Sequence, residues 1–320
     1  MAELKIISMD EVQSKEVNWL WYPYIPYGKI TIIQGDPGEG KTTLALRLAA
    51  LLSKGEPLPY DNTEREPVKI IYQTAEDGLE DTIKPRLESA EADCTQIKVI
   101  DESEAALSML DDRIEKAIIE VGARVVILDP IQAYVGANIN MNNANEVRNM
   151  MAQLGRIAEK YDYAILLVGH MNKSSGNKSS YRGLGSIDFQ ASARSVLIVG
   201  RIKDNPQVRV MVQDKSSLAP EGEAIAFELD KENGFRWLGH YDISVDDLLS
   251  GIPREKKSEQ AENLILEYLS KGKYPQQALL KKAQAVGISK RVLDEAKKSL
   301  NVQSVKEGSQ WYWQLPEKTE

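Results

Sequence analysis

The chain has 320 residues, 42% of them hydrophobic and 28% charged, with a net charge of −8 and Cys94 as its single cysteine. That balance supports a sizeable core with room for a second small domain, excludes an intrachain disulfide framework, and weighs against a protein that merely coats nucleic acid. The apolar runs fall far short of the roughly 20 residues that span a bilayer, and MAELKIISMDEVQSKE lacks the basic and apolar regions of a leader, so a cytoplasmic protein with no membrane partner is expected.

In chain order, Ile30–Gln34 reads as a short buried strand and Lys41–Leu52 as a helix with Leu44, Leu48 and Leu51 on one side. Lys69–Thr74 is a further strand. A helix is predicted over Leu107–Val121, then the apolar strand Val125–Leu128. A second helix covers roughly Asn143–Tyr161 and is followed by the strand Ala164–Val168. Continuous apolar strands alternating with helices predict an α/β fold, a mostly parallel sheet covered on both faces. Val196–Val199, Val208–Val212 and Ala224–Glu228 are strands with short connections, so the sheet is expected to end in antiparallel hairpins.

Residues 246–257, with Gly251, Pro253 and the charge cluster Arg254–Lys257, read as a linker between a domain over 1–245 and another over 258–316. Charge divides the same way. Residues 251–320 carry 13 Lys and Arg against 9 Asp and Glu, leaving 27 against 39 for the rest. Helices are predicted over Ser258–Ser270, Pro275–Val286 and Ser289–Leu300, with Ser289 as the last one's N-cap. Val302–Val305 and Gln310–Gln314 then form a hairpin. Three helices and a hairpin make a winged-helix pattern.

The sequence GDPGEGKT, Gly35 to Thr42, fits G-x-x-x-x-G-K-[ST] between a strand and a helix, the context that a phosphate-binding P-loop requires. Its glycines let successive backbone N–H groups turn inward, and the helix N-terminus adds positive potential. Gly35, Asp36, Pro37, Gly38, Glu39, Gly40, Lys41, Thr42 and Thr43 are therefore expected to hold ATP. Lys41 would reach the β- and γ-phosphates, and the Thr42 hydroxyl would ligate Mg²⁺. Asp129 ends the strand Val125–Leu128, at the edge where ligands of α/β sheets bind, and is the expected second Mg²⁺ ligand. Glu76 and Asp77 follow the strand ending at Thr74, and hydrolysis needs a group that orients the attacking water. Glu76 is favoured, with Asp77 as the alternative. His170 ends another strand and is placed to sense the γ-phosphate. His240 falls outside this constellation.

The order of these motifs, continued by VVILDP, LLVGHMNK and YRGLGSIDFQ, resembles the RecA-type ATPase core. Within it the chain is most similar to the RepA/DnaB-like group of hexameric replicative helicases of phages, plasmids and mobile elements, from about Val17 to Leu315. The resemblance implies that Glu76 is the catalytic glutamate, Asp129 the Walker B aspartate and His170 the histidine of the third helicase motif. It implies that Arg182 lies near a DNA channel, and that Lys215 corresponds to the first basic residue of a K-x-R finger acting on a neighbour's nucleotide. The arginine of that finger is replaced by Ser217, which leaves Lys215 to act alone or Arg201 or Arg209 to substitute. It also implies a homo-oligomer, a ring of six, acting on single-stranded DNA.

Two loops rich in small and polar residues, residues 135–145 and Asn172–Arg182, are candidates for DNA contact. The second carries Lys173, Lys178 and Arg182, suited to a phosphate backbone. The predicted helix Ser289–Leu300 carries Lys290, Arg291, Lys297 and Lys298 and would suit duplex DNA or a protein partner equally well. The expected function is a DNA-dependent ATPase, a helicase or helicase-like motor. A recombination or repair ATPase without unwinding, and an ATP-gated DNA-binding regulator, are the alternatives.

Overall fold

The computed structural model describes residues 4–137, 139–171, 187–230, 234–250, 257–308 and 310–316. It falls into two compact units, Met1–Gly251 and Ile252–Glu320.

The first unit opens with a short antiparallel pair, β1 (Trp19–Trp21) and β2 (Ile25–Pro26). Then come β3 (Ile30–Gly35), α1 (Lys41–Lys54), β4 (Ile70–Thr74), a π-helical turn at Leu79–Ile83 running into α2 (Lys84–Ser89), and the two-residue β5 (Ile97–Lys98). They are followed by α3 (Asp112–Val121), β6 (Val125–Asp129), α4 (Ala144–Tyr161), β7 (Ala164–His170) and α5 (Ile187–Ser192). Strands β8 (Ser195–Ile202), β9 (Asn205–Ser216), β10 (Ile225–Asp230) and β11 (Gly234–His240) and the helix α6 (Val245–Ser250) complete it.

Nine strands form one sheet in the order β11-β10-β9-β8-β3-β7-β6-β4-β5. From β8 to β5 every pairing is parallel, and from β8 to β11 every pairing is antiparallel. The apolar runs are buried along their whole length because helices cover both faces of the parallel part. One core packs Ile33, Tyr72, Ile127 and Leu166 against Leu44, Leu48 and Leu52 of α1. The other packs Ile32, Val126 and Leu167 against Ile114 and Ile118 of α3 and Val147, Met151 and Leu154 of α4. Each such aliphatic side chain, fully buried, contributes about 2 kcal/mol. The chain leaves β3, crosses to β4, and returns through β6 to β7 at its side. The carboxyl ends of β3, β4, β6 and β7 therefore share one crevice, where α/β sheets bind ligands.

Two predicted elements come out differently. The helix expected from Leu107 begins at Asp112, because the Asp111 side chain accepts the Arg113 amide as N-cap. The stretch before it is spent on side-chain and loop contacts, with Leu107 N–H donating to Glu102 and Met109 N–H to the Tyr134 carbonyl. Residues 246–250, expected in the linker, lie in α6, whose Leu248 is buried over Gly200. A Cβ at Gly200 would lie 3.0 Å from that leucine. Strand β11, missing from the prediction, alternates half-buried and exposed residues at the edge of the sheet.

The second unit contains α7 (Lys257–Leu269), β12 (Tyr274–Pro275), α8 (Gln276–Ala285), α9 (Lys290–Ser299), β13 (Gln303–Glu307) and β14 (Gln310–Gln314). The Ser289 side chain caps α9 by accepting the Val292 amide. The strands form an antiparallel sheet in the order β12-β14-β13, and Trp313 packs in a core with Ile265, Leu279 and Leu293.

Candidate nucleotide site

The loop from Gly35 to Lys41 is shaped by glycines, one of them held against the neighbouring backbone and two with positive φ. A Cβ at Gly35 would lie 2.1 Å from the Val199 carbonyl oxygen of the neighbouring strand. Gly40 has φ of +91°, and a Cβ there would fall 2.6 Å from Leu229. This left-handed turn leads into α1, so backbone N–H groups and the helix N-terminus converge on one point.

Lys41 is 4% exposed. Its Nζ donates to the carbonyls of Gly35 and Asp36 at 3.0 and 2.9 Å and lies 3.2 Å from Nδ1 of His170. Burial pushes its pKa down, and the charges of Asp129, Glu39, Asp36 and Glu76 act in the opposite sense. An ammonium has donors only. A charged Lys41 therefore makes Nδ1 of His170 the acceptor and leaves the imidazole proton on Nε2. That nitrogen faces Glu76, 3.6 Å from Oε2.

Strand register assembles these groups. His170 stands opposite Gly35 across β3 and β7, and the next amide, Met171 N–H, donates to the Gly35 carbonyl. Thr74 stands opposite Asp129 across β4 and β6. Ala75 N–H donates to the Asp129 carbonyl, so Glu76 emerges beside that strand end. The two acids after β4 then diverge. Glu76 faces His170, whereas Asp77 pairs with Arg86 of α2 at 3.2 Å. The side chain of Gln132 adds a donor to the His170 carbonyl at 3.3 Å.

Asp129 is buried, and burial raises its pKa, opposed by hydrogen bonds from Thr42 and Tyr72 and by the charge of Lys41. The Tyr72 hydroxyl donates to Oδ2 at 3.0 Å. Burial, then the Asp129 charge, raises the Tyr72 pKa well above that of a free phenol, which keeps the hydroxyl a donor. Tyr72 does not stand out in the sequence, because a tyrosine inside an apolar strand looks like core. The signal was its place, two residues before the strand end beside the Asp129 strand. Among the described residues, no group of three or more His, Cys, Asp or Glu could cage an ion. A threonine hydroxyl beside one carboxylate instead suits Mg²⁺, which keeps several waters and takes phosphate oxygens as its remaining ligands. The glycine-built loop, the buried lysine and this oxygen pair together fit a magnesium nucleotide.

A model of the AAA domain family matches residues 3–176, more than half of the chain. The chain belongs to the AAA domain family. It is 30% identical over 165 residues to the DNA repair protein RadA of Halalkalibacterium halodurans, an alignment covering 51% of this chain and 32% of that protein. It is 26% identical over 215 residues to the DNA repair protein RadA of Helicobacter pylori, covering 66% of this chain and 42% of the relative. The chain thus spans less than half the length of these curated relatives. Among solved structures, the "ATPase Domain of G40P" superposes with a TM-score of 0.50 at 15% identity, over 67% of this chain and 85% of that one. At that identity the likeness is one of fold, that of a RecA-like P-loop ATPase.

Of the remaining expected residues, Arg201 and Arg209 lie beside the P-loop, and the others lie away from the crevice or outside the described residues. Lys215 pairs in register with Val196 near the start of β8. Through Ile32 it is about 14 Å of backbone from Gly35, by strand rise and spacing. Its Nζ donates to the carbonyls of Gln190 and Ala191 at 2.9 and 2.8 Å. Arg201 and Arg209, the alternative finger residues, stand instead beside the P-loop of their own chain. Arg201 bonds Glu39 and Gly38, and a Cβ at Gly40 would lie 3.8 Å from Arg209 Cγ. Lys173, Lys178 and Arg182 lie outside the described residues. In the other polar loop, Asn140 and Asn143 serve the start of α4. Asn143 caps that helix, and both Asn140 N–H and the Asn143 side chain donate to Glu146 at 2.7 Å. His240 lies 3.0 Å from Glu223 and packs at a tilt against the Tyr60 ring. In the second unit, Lys297 lies over the Trp313 ring and donates to Ser304, which occupies one of the basic groups of α9.

Proposed function

We propose that this chain is a DNA-dependent ATPase in which Lys41, Thr42, Asp129, Glu76 and His170 work as one site. The observation that carries the proposal is their convergence at the carboxyl ends of β3, β4, β6 and β7. Gly35, Asp36, Pro37, Gly38, Glu39, Gly40 and Thr43 shape the loop that receives the phosphates. Lys41 turns its ammonium from loop carbonyls to phosphate oxygens. Thr42 and Asp129 would hold Mg²⁺, whose chemistry there is to neutralise the β- and γ-phosphates. Glu76 orients the attacking water and takes its proton, and His170, linked to both Glu76 and Lys41, couples the two.

DNA dependence is supported by the curated relatives, which are named as DNA repair proteins. Lys173, Lys178 and Arg182 would contact a single strand from the loop that follows His170, and α9 of the second unit, read as a winged helix, would meet duplex DNA or a protein partner. Lys215 completes a neighbour's site in a homo-oligomeric ring, a hexamer. The finer choice is between a helicase-like motor and a repair ATPase that does not unwind. The names of the relatives favour repair, and the order of motifs favours a motor.

The deciding experiment measures ATP turnover with and without single-stranded DNA, with the mass of the assembly and displacement of an annealed strand. Stimulated turnover with displacement supports the motor, and stimulated turnover without it supports the repair reading. Turnover indifferent to DNA would overturn DNA dependence.

A further inference from the structure

The P-loop carries two acidic residues, Asp36 and Glu39, in the segment expected to receive a polyanion. A carboxylate at such a point repels phosphate unless its charge is matched nearby. The Glu39 side chain is only 13% exposed, so water screens it poorly. Its charge is also felt at Lys41, where it acts in concert with Asp129 and Asp36.

The matching charge comes from the antiparallel side of the sheet. Arg201, near the end of β8, sends Nε to both carboxylate oxygens of Glu39, at 3.0 and 3.2 Å, and Nη2 to the Gly38 carbonyl at 3.0 Å. Arg209 stands in register with Arg201 on β9. It is partly buried there, and burial, then the charge of Arg201, lowers its pKa. The Arg201 guanidinium thus faces the loop, while that of Arg209 donates to the Pro206 carbonyl of its own strand. Three donor contacts from one planar guanidinium set both the orientation of Glu39 and the Gly38 peptide.

We propose that Arg201 is a positioning residue of the nucleotide site: by pairing with Glu39 and holding the Gly38 carbonyl, it turns an acidic P-loop into one that accepts phosphate. This rests on the nucleotide-binding reading above. It assigns Arg201 a role within its own subunit, in place of the finger role that sequence leaves open for it. The same pairing implies that Glu39 is tolerated in the loop because β8 supplies its counter-charge.

The test is a double-mutant cycle on the full chain, titrating Mg²⁺ and the fluorescent analogue mant-ADP into wild type, R201A, E39Q and R201A/E39Q. R201A should bind about tenfold more weakly, because an unmatched carboxylate then faces the phosphates. R201A/E39Q should recover to within about threefold of wild type, since deleting both charges removes the repulsion. E39Q alone should bind more tightly than wild type, because Arg201 then stands as an unpaired cation beside the phosphates. R201Q, close in length to arginine but uncharged, repeats the comparison if R201A does not fold. Binding by R201A equal to wild type would overturn the inference, as would a double variant as weak as R201A, which would make the role of Arg201 one of packing. A wild type that binds no mant-ADP would overturn the P-loop reading, and this inference with it.

Discussion

At the carboxyl end of the parallel strands, Lys41, His170 and Glu76 stand in a chain of polar contacts with Asp129 close enough to act on the lysine. At the amino end of the same sheet, Lys215 gives its ammonium to two carbonyls of its own chain and pairs with nothing in the crevice. Both lysines are held down in pKa by burial, but their surroundings differ. Four carboxylates offset the burial of Lys41, whereas Arg194 adds to the effect of burial at Lys215. A lysine near several acids but bonded only to neutral groups keeps its charge available for an anionic ligand. A half-buried lysine on helix carbonyls has its donors spent on its own chain.

The largest effect should separate the two ends. Lys41→Ala removes the charge aimed at the β- and γ-phosphates, and turnover should drop to assay background while the melting profile survives. Undiminished turnover would remove the P-loop from the mechanism. Lys215→Ala comes next. It should leave nucleotide affinity intact and slow hydrolysis on the order of 10³-fold, the scale of a finger acting across an interface. Mixing Lys215→Ala with Glu76→Gln subunits sharpens this, because some interfaces then join two intact halves and activity should partly return. Full activity of Lys215→Ala alone would show that its two carbonyl contacts are its whole role.

Glu76→Gln should still bind nucleotide but turn over roughly a hundredfold more slowly, the size of a lost general base. Normal hydrolysis by Glu76→Gln, with Asp77→Asn inactive, would move the role to the neighbouring acid in spite of its pairing with Arg86. The smallest effect belongs to the amino end. Burial, then Glu221 and Asp246, raises the pKa of Asp214. An acid whose pKa is higher folded than unfolded lowers stability as pH rises above its unfolded value. Asp214→Asn should therefore melt a few degrees higher than wild type at neutral pH, and the gap should close as pH falls towards the ordinary aspartate range. A gap that persists in acid would trace the gain to packing.

Sequence was most informative where chemistry and secondary structure coincide. The P-loop was legible because its glycines, lysine and threonine must sit between a strand and a helix, and the strand-end positions of Asp129, Glu76 and His170 because each follows an apolar run. The beginning of α3 was obscured because Leu107 and Met109 extend the apolar pattern past a cap that only Asp111 marks. α6 was hidden because its short, acidic sequence has one buried anchor, Leu248, whose burial depends on a glycine 48 positions earlier in the chain.

What the sequence determined by itself is local: which strands are continuous and buried, where the anion-binding loop lies, and which polar residues stand at strand ends. Tertiary structure alone decided which of those ends meet. The order β8-β3-β7-β6-β4 sets His170 against Lys41 and Tyr72 against Asp129, brings Arg201 onto Glu39 from 162 residues away, and sends Lys215 to the opposite end of the sheet. Strand order and register depend on how apolar faces pack across the whole chain, so no local pattern encodes them.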